Sequence, residues 1–266
     1  MLEKLKISKP PSFFLPEILA TFGYIFYTCL CPDFGPYLAG LNTGMTVYFL
    51  VVVNHTIAPV HFNPALTICF LVTGKLKWSE FFWYLLAQIL GGVAASGVVY
   101  GLYQLSLETE FISDDNNNSN MDMVTIINSY ALDVPEKANW GAVLISEIIT
   151  SSMMCLLAAM TIYNRNTWAE STGILSIGVI VWMGIITGQK VGAGCLNPIR
   201  SMMPWSISGL LFFKKVAVEN WTYSVGPLLG GVLGALLYGL LYCEDESVNF
   251  RKGSRKAMRK VSRIFE

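Results

Sequence analysis

The chain of 266 residues is 53% hydrophobic and only 14% charged, against about 25% charged residues in ordinary soluble proteins. Eighteen basic and eighteen acidic residues cancel to a formal net charge of zero, so the net basic face that nucleic acid demands is missing. With a mean hydropathy of +0.51, the sequence reads as an all-α membrane protein rather than a soluble enzyme, a disordered chain or a fibre.

Residues 1–12 form a short basic arm carrying Lys4, Lys6 and Lys9, with no cleavable signal peptide in evidence. Six apolar runs follow, at about 13–31, 38–57, 80–105, 140–163, 172–189 and 222–242. Each is close to the roughly 20 residues that cross a bilayer core about 30 Å thick. They are almost free of charge, except for Glu17 early in the first run and Glu147 early in the fourth. Two shorter apolar stretches, 63–73 and 197–209, both begin with Asn-Pro and reach about halfway across the core. Six cysteines show no zinc-site spacing and lie mostly inside apolar runs, where they read as small buried side chains. No metal site is expected.

Six crossings put both termini on one side. Thirteen of the 18 basic residues then share that face: Lys4, Lys6, Lys9, Lys75, Lys77, Arg165 and the seven of the tail 243–266. The positive-inside bias makes this face cytoplasmic. The connection 106–139 then lies outside with its seven acidic residues and a sequon at Asn117, and a second sequon at Asn220 also falls outside. Both asparagines are candidate glycosylation sites. Arg251, Arg255, Arg259 and Arg263 recur every fourth residue in the tail. As a helix they form a basic face for anionic headgroups, or they serve only to fix topology.

Residues 13–105 and 140–242 carry the same order of features: a span with one acid, a second span, a loop ending in Asn-Pro with a half-helix, and a glycine-rich third span. Three spans per half give the halves opposite topology, so the channel domain 13–242 reads as an inverted 3+3 repeat with broken helices near the midplane. Proline suits the first helical turn and asparagine caps it. Asn63-Pro64 and Asn197-Pro198 should therefore start two half-helices at the bilayer centre. Irregular backbone at that depth must be buried in protein or line a polar cavity, and two helix N-termini aimed there disfavour cations and hydrated protons. Asn63 and Asn197 are read as pore donors, and Arg200, costly in a membrane unless it faces water or polar groups, as pore-lining.

The two boxes, His61-Phe62-Asn63-Pro64-Ala65 and Gly194-Cys195-Leu196-Asn197-Pro198-Ile199-Arg200, resemble those of the aquaporin (major intrinsic protein) family. Ala87 to Gly92 and Trp221 to Pro227 also match, and the resemblance covers residues 13–242. It implies six transmembrane helices plus two re-entrant half-helices, a homotetramer, no cofactor, and passive passage of water and small neutral solutes without ions or protons. It also implies that Glu17 and Glu147 brace the re-entrant loops through backbone N–H bonds. His61 is either such a buried brace or a pH-sensitive lining residue. By analogy with the family, the selectivity filter comprises Thr43, Ile185, Gly194 and Arg200. With no aromatic among them it should be wider than a strict water filter. The Ile-Gly-Arg part looks like the aquaporin-8 and plant tonoplast types, which carry histidine where this chain has Thr43. One departure stands in the second box, where Ile199 replaces the usual alanine. It either alters packing behind the half-helix, moves Asn197 or narrows the pore. Cys195 is a possible site for thiol reagents at the outer mouth, or a buried inert thiol. Two other readings stay open. A coupled secondary transporter predicts flux that depends on an ion gradient, and a non-conducting scaffold or adhesion protein predicts none. Glycerol, urea, ammonia and hydrogen peroxide are not ranked.

Overall fold

Each of these apolar runs becomes a helix in a computed structural model, which describes residues 10–31, 35–54, 57–113, 135, 137–163, 170–212 and 218–242. The N-terminal arm up to Lys9, Asn117 with most of the outer connection, and the basic tail lie outside the described residues. The helices are α1 (Phe14–Cys29), α2 (Pro36–Asn54), α3 (Pro64–Val72), α4 (Trp78–Ser113), α5 (Trp140–Tyr163), α6 (Glu170–Gln189), α7 (Pro198–Phe212) and α8 (Thr222–Tyr242), with a 3₁₀ turn (Val218–Trp221) before the last. No strand occurs among the described residues.

Five of these helices, α2, α4, α5, α6 and α8, are long and apolar enough to cross a bilayer. The sixth crossing helix, α1, has 16 residues, about 24 Å at 1.5 Å per residue. It stops at Cys29 rather than at residue 31, where the run ends: Cys31 precedes Pro32, and a residue before proline avoids helical backbone. At the other extreme, α4 continues to Ser113, eight residues past its apolar run. Residues 106–113 contain neither glycine nor proline, so nothing in the backbone halts the helix as polarity rises.

Packing repeats between the halves. Helix α1 packs on α4 as α5 packs on α8, and α2 lies against its repeat partner α6. The half-helices are exchanged: α3 packs chiefly on α8, and α7 on α4, so each is held by the third span of the other half. Glycines set the closest approaches. A Cβ on Gly178 would lie 2.5 Å from the Gly44 carbonyl oxygen, and one on Gly44 would collide with the Gly178 carbonyl in return. One on Gly230 would lie 2.7 Å from the Ile148 oxygen, and its repeat partner Gly91 is pressed in the same way on Ile18.

Polarity is reversed relative to a soluble protein. Phe49, Val53, Leu105, Ile145, Leu236 and Leu240 are exposed on the outside, while Glu17, Thr21, Gln88, Ser96, Glu147 and Ser151 are completely buried. A lipid environment for the outer surface follows; Glu17, Thr21, Gln88 and Glu147 find partners within the protein, while the Ser96 and Ser151 hydroxyls have none among the described residues.

Candidate pore

Both half-helices begin with the same asparagine geometry. Asn63 Oδ1 accepts from the Ala65 amide at 2.9 Å, and Asn197 Oδ1 accepts from the Ile199 amide at 3.1 Å. These are N-cap bonds, and they turn each side-chain oxygen toward its own half-helix. The side-chain nitrogens cross over. Asn63 Nδ2 donates to the Leu196 carbonyl at 3.0 Å, and Asn197 Nδ2 donates to the Phe62 carbonyl at 2.9 Å. Each box is thus tied to the residue just before the other asparagine. Every Nδ2 carries two hydrogens, so one remains on each for another acceptor. Near Asn63 the Met154 thioether stands 4.0 Å away, a weak competitor.

Carbonyls aimed this way require unusual backbone. Phe62 has φ +37° and Leu196 φ +53°, the left-handed region that costs a non-glycine residue about 1–2 kcal/mol. Carboxylates hold both turns. Glu17 accepts from the His61 amide at 2.7 Å and the Phe62 amide at 2.6 Å. Glu147 accepts from the amides of Gly194, Cys195 and Leu196 at 2.6, 2.7 and 2.9 Å. In the first half the third donor is a side chain, Gln88 Nε2 at 2.7 Å, which also reaches Thr67 Oγ1 at 2.9 Å. His61 lies beside that hydroxyl, its Nδ1 3.2 Å away, with its ring stacked on Tyr84 at 4.0 Å.

A cavity of about 330 Å³ lies on the side of the boxes that carries Arg200. Thr43, Ile185, Gly194 and Arg200 all line it, from α2, α6, the second re-entrant loop and α7. Arg200 is 8% exposed; its Nη2 is 3.4 Å from the Thr28 carbonyl, while Nη1 has no protein partner. Cys195 also lines the cavity, but it is 3% exposed and its thiol donates to the Asn197 carbonyl at 3.1 Å. A second, far smaller space of about 10 Å³ lies at the boxes, lined by both asparagines. Neither glutamate lines either of these two cavities, and nor does His61.

Ile199 lines neither cavity as well. Its Cγ2 would lie 3.0 Å from a Cβ on Gly92, with Met203 Cγ at 2.5 Å. In the repeat-equivalent place, a Cβ on Gly231 would collide with the Ala65 carbonyl. One glycine therefore admits backbone, while the other admits two larger side chains. Ile199 fills space behind α7, between it and α4. Replacing it with alanine should leave a void and lower stability by about 2 kcal/mol, read as a lower unfolding midpoint in detergent. An unchanged midpoint would mean that the Gly92 face carries no packing load.

Asn220 of the second sequon is 7% exposed in the turn before α8, so a glycan attached there would require that turn to open. Asn117 lies outside the described residues. The sequence reasoning missed Tyr24 and Met154, which line the small central space. A signal was present in α1: Glu17, Thr21, Tyr24 and Thr28 recur on one helical face and are all buried, forming a polar stripe on an otherwise apolar helix. Gln88 was seen only as part of a matching segment, with no role attached.

Exchanged half-helices meeting through capped asparagines, beneath an arginine-lined cavity, define a membrane channel of the re-entrant-loop class. Comparison with known proteins gives the family. The major intrinsic protein family matches residues 6–238, and the chain belongs to it; it is a channel and not an enzyme. It is 28% identical to aquaporin A of Dictyostelium discoideum over 95% of this chain and 88% of that protein. It is 29% identical to a probable glycerol uptake facilitator of Thermotoga maritima, over 76% of this chain and 81% of that one. The fold is similar to the X-ray structure of the aquaglyceroporin from Plasmodium falciparum, with TM-score 0.70 and 23% identity over 86% of this chain and 96% of that one.

Proposed function

We propose that the protein conducts water, and those small neutral solutes that fit its passage, passively down their gradients while excluding ions and protons. The observation that carries this reading is the reciprocal asparagine pair. With both Oδ1 atoms turned into caps and one hydrogen of each Nδ2 given to the opposite loop, what each asparagine has left to offer the passage is its second Nδ2 hydrogen. A water there accepts through its oxygen and turns its own hydrogens outward, toward its neighbours in the file. The donor orientation then reverses at the centre, which interrupts a proton wire. The N-termini of α3 and α7 add partial positive charge that repels cations, and Arg200 adds a full one.

Passive transport is favoured over coupled transport by where the acids lie. Coupling needs a group that changes charge beside the solute, and Glu17 and Glu147 are instead engaged with loop amides away from both cavities. In this reading four copies assemble with one passage each, both termini are cytoplasmic, and the Thr43–Ile185–Gly194–Arg200 ring is the outer vestibule. Family membership supports the assembly and the ring, and the excess of basic residues on one face supports the placement of the termini.

Stopped-flow light scattering on proteoliposomes tests the reading. Osmotic shrinkage should be at least tenfold faster than in empty vesicles, while an entrapped pH dye shows proton leak at the empty-vesicle level. Shrinkage no faster than in empty vesicles would leave the scaffold reading in its place, and flux that follows an imposed ion gradient would favour the transporter.

A further inference from the structure

Along this passage the space beside Arg200 is far larger than the space at the asparagines. The cavity beside Arg200 measures about 330 Å³, and Thr43, Ile185 and Gly194 bring no large ring system to it. At the asparagines the space falls to about 10 Å³, the lower limit for a single water. Tyr24 is the residue common to the linings of both spaces. It lines the outer cavity and the throat alike and is 3% exposed.

Internal symmetry explains why the throat closes there. Tyr24 stands seven residues after Glu17, and Met154 seven after Glu147. Val47 stands sixteen before Asn63, and Val181 sixteen before Asn197. With Phe62 and Leu196, and the asparagines themselves, four repeat-equivalent pairs line the throat, joined by Leu66 and Ile177. The throat therefore encircles the pseudo-twofold axis, where the two halves press on the same space. Tyr24 lines this space together with Asn197, and Met154 Sδ stands 4.0 Å from Asn63 Nδ2. Tyr24 and Met154 are the bulky unbranched or planar side chains facing the asparagines from α1 and α5. The remaining lining is aliphatic or aromatic, so a solute with several hydroxyl groups would lose hydration here without enough polar partners.

The geometry points to Tyr24 and Met154 as the size filter of this channel, set at the asparagine throat and not at the arginine ring. The protein then passes water and excludes glycerol and larger polyols, although its outer cavity is roomy enough to admit them. This inference deepens the channel reading and rests on it.

The test uses the full chain, purified and reconstituted, as wild type, Tyr24→Ala and Met154→Ala, each confirmed to elute from size exclusion as the wild type does. Water flux is read with an impermeant osmolyte, and glycerol entry by re-swelling in a glycerol gradient. The wild type should conduct water rapidly and re-swell in glycerol no faster than empty vesicles. Either substitution should raise glycerol entry at least tenfold above that background. Rapid glycerol entry through the wild type overturns the inference without any variant. So does a pair of variants that elute normally, conduct water and still exclude glycerol. If the wild type conducts no water, the channel reading fails and the filter falls with it. Water flux with open glycerol passage removes the filter alone.

Discussion

Glu147→Ala should lose a substantial share of the stability of the folded channel. The carboxylate accepts three consecutive loop amides, those of Gly194, Cys195 and Leu196, in a position with zero exposure. An unsatisfied buried donor costs about 1–3 kcal/mol, so three together cost about 3 kcal/mol at the least, against a typical total of 5–15 kcal/mol. The loop also contains left-handed backbone at Leu196, which a residue other than glycine keeps only where its surroundings insist on it. Glu17→Ala removes two backbone bonds and one from Gln88, but Gln88 keeps Thr67 as a partner. Its loss should be smaller. Thermal unfolding in detergent should therefore rank wild type above Glu17→Ala, and Glu17→Ala above Glu147→Ala. Glu147→Gln, with a single acceptor oxygen left, should fall between wild type and Glu147→Ala. A Glu147→Ala protein that melts with the wild type would show that these three bonds carry no net stability.

The elements that the sequence predicts best are those set by local chemistry. Apolar length marks the spans, Asn-Pro marks the start of each half-helix, and the spacing of the acids from the boxes marks the repeat. What escapes sequence reading depends on atoms brought together from both halves. No pattern in Phe62 or Leu196 announces left-handed backbone, because neither is glycine; the strain is held by Glu17, Glu147 and the opposite asparagine, 45 to 135 positions away in the chain. Ile199 offered three readings, and only its place against Gly92 distinguishes packing from pore. The four ring positions could be counted from the boxes, but the volume of the cavity they line could not. Tyr24 and Met154 look like ordinary span residues until the twofold arrangement sets them face to face with the asparagines.

Asn197→Asp separates the two duties of that asparagine. Aspartate caps a helix as well as asparagine does, so the bond from the Ile199 amide survives and α7 should start in the same place. The donor is lost. An oxygen then faces the Phe62 carbonyl at the site of a 2.9 Å hydrogen bond, placing acceptor against acceptor, and the left-handed turn at Phe62 loses what fixes its carbonyl. A negative charge also appears between the N-termini of both half-helices, where it attracts the cations that those dipoles otherwise repel. The lost bond alone is worth about 1–3 kcal/mol, and 1.4 kcal/mol is a factor of about ten in rate. Water permeability in proteoliposomes should thus drop by about fivefold to a hundredfold, with a new leak of protons or potassium detected by an entrapped dye. Asn63→Asp should act in the same direction, because its Nδ2 bond to Leu196 is the repeat-related one. Its effect should be smaller where the Met154 thioether, a poor acceptor, already weakens the free donor. If both variants fold and retain wild-type water flux without a leak, donor-only polarity at the centre is not what orders the water, and the selectivity against protons must reside with Arg200.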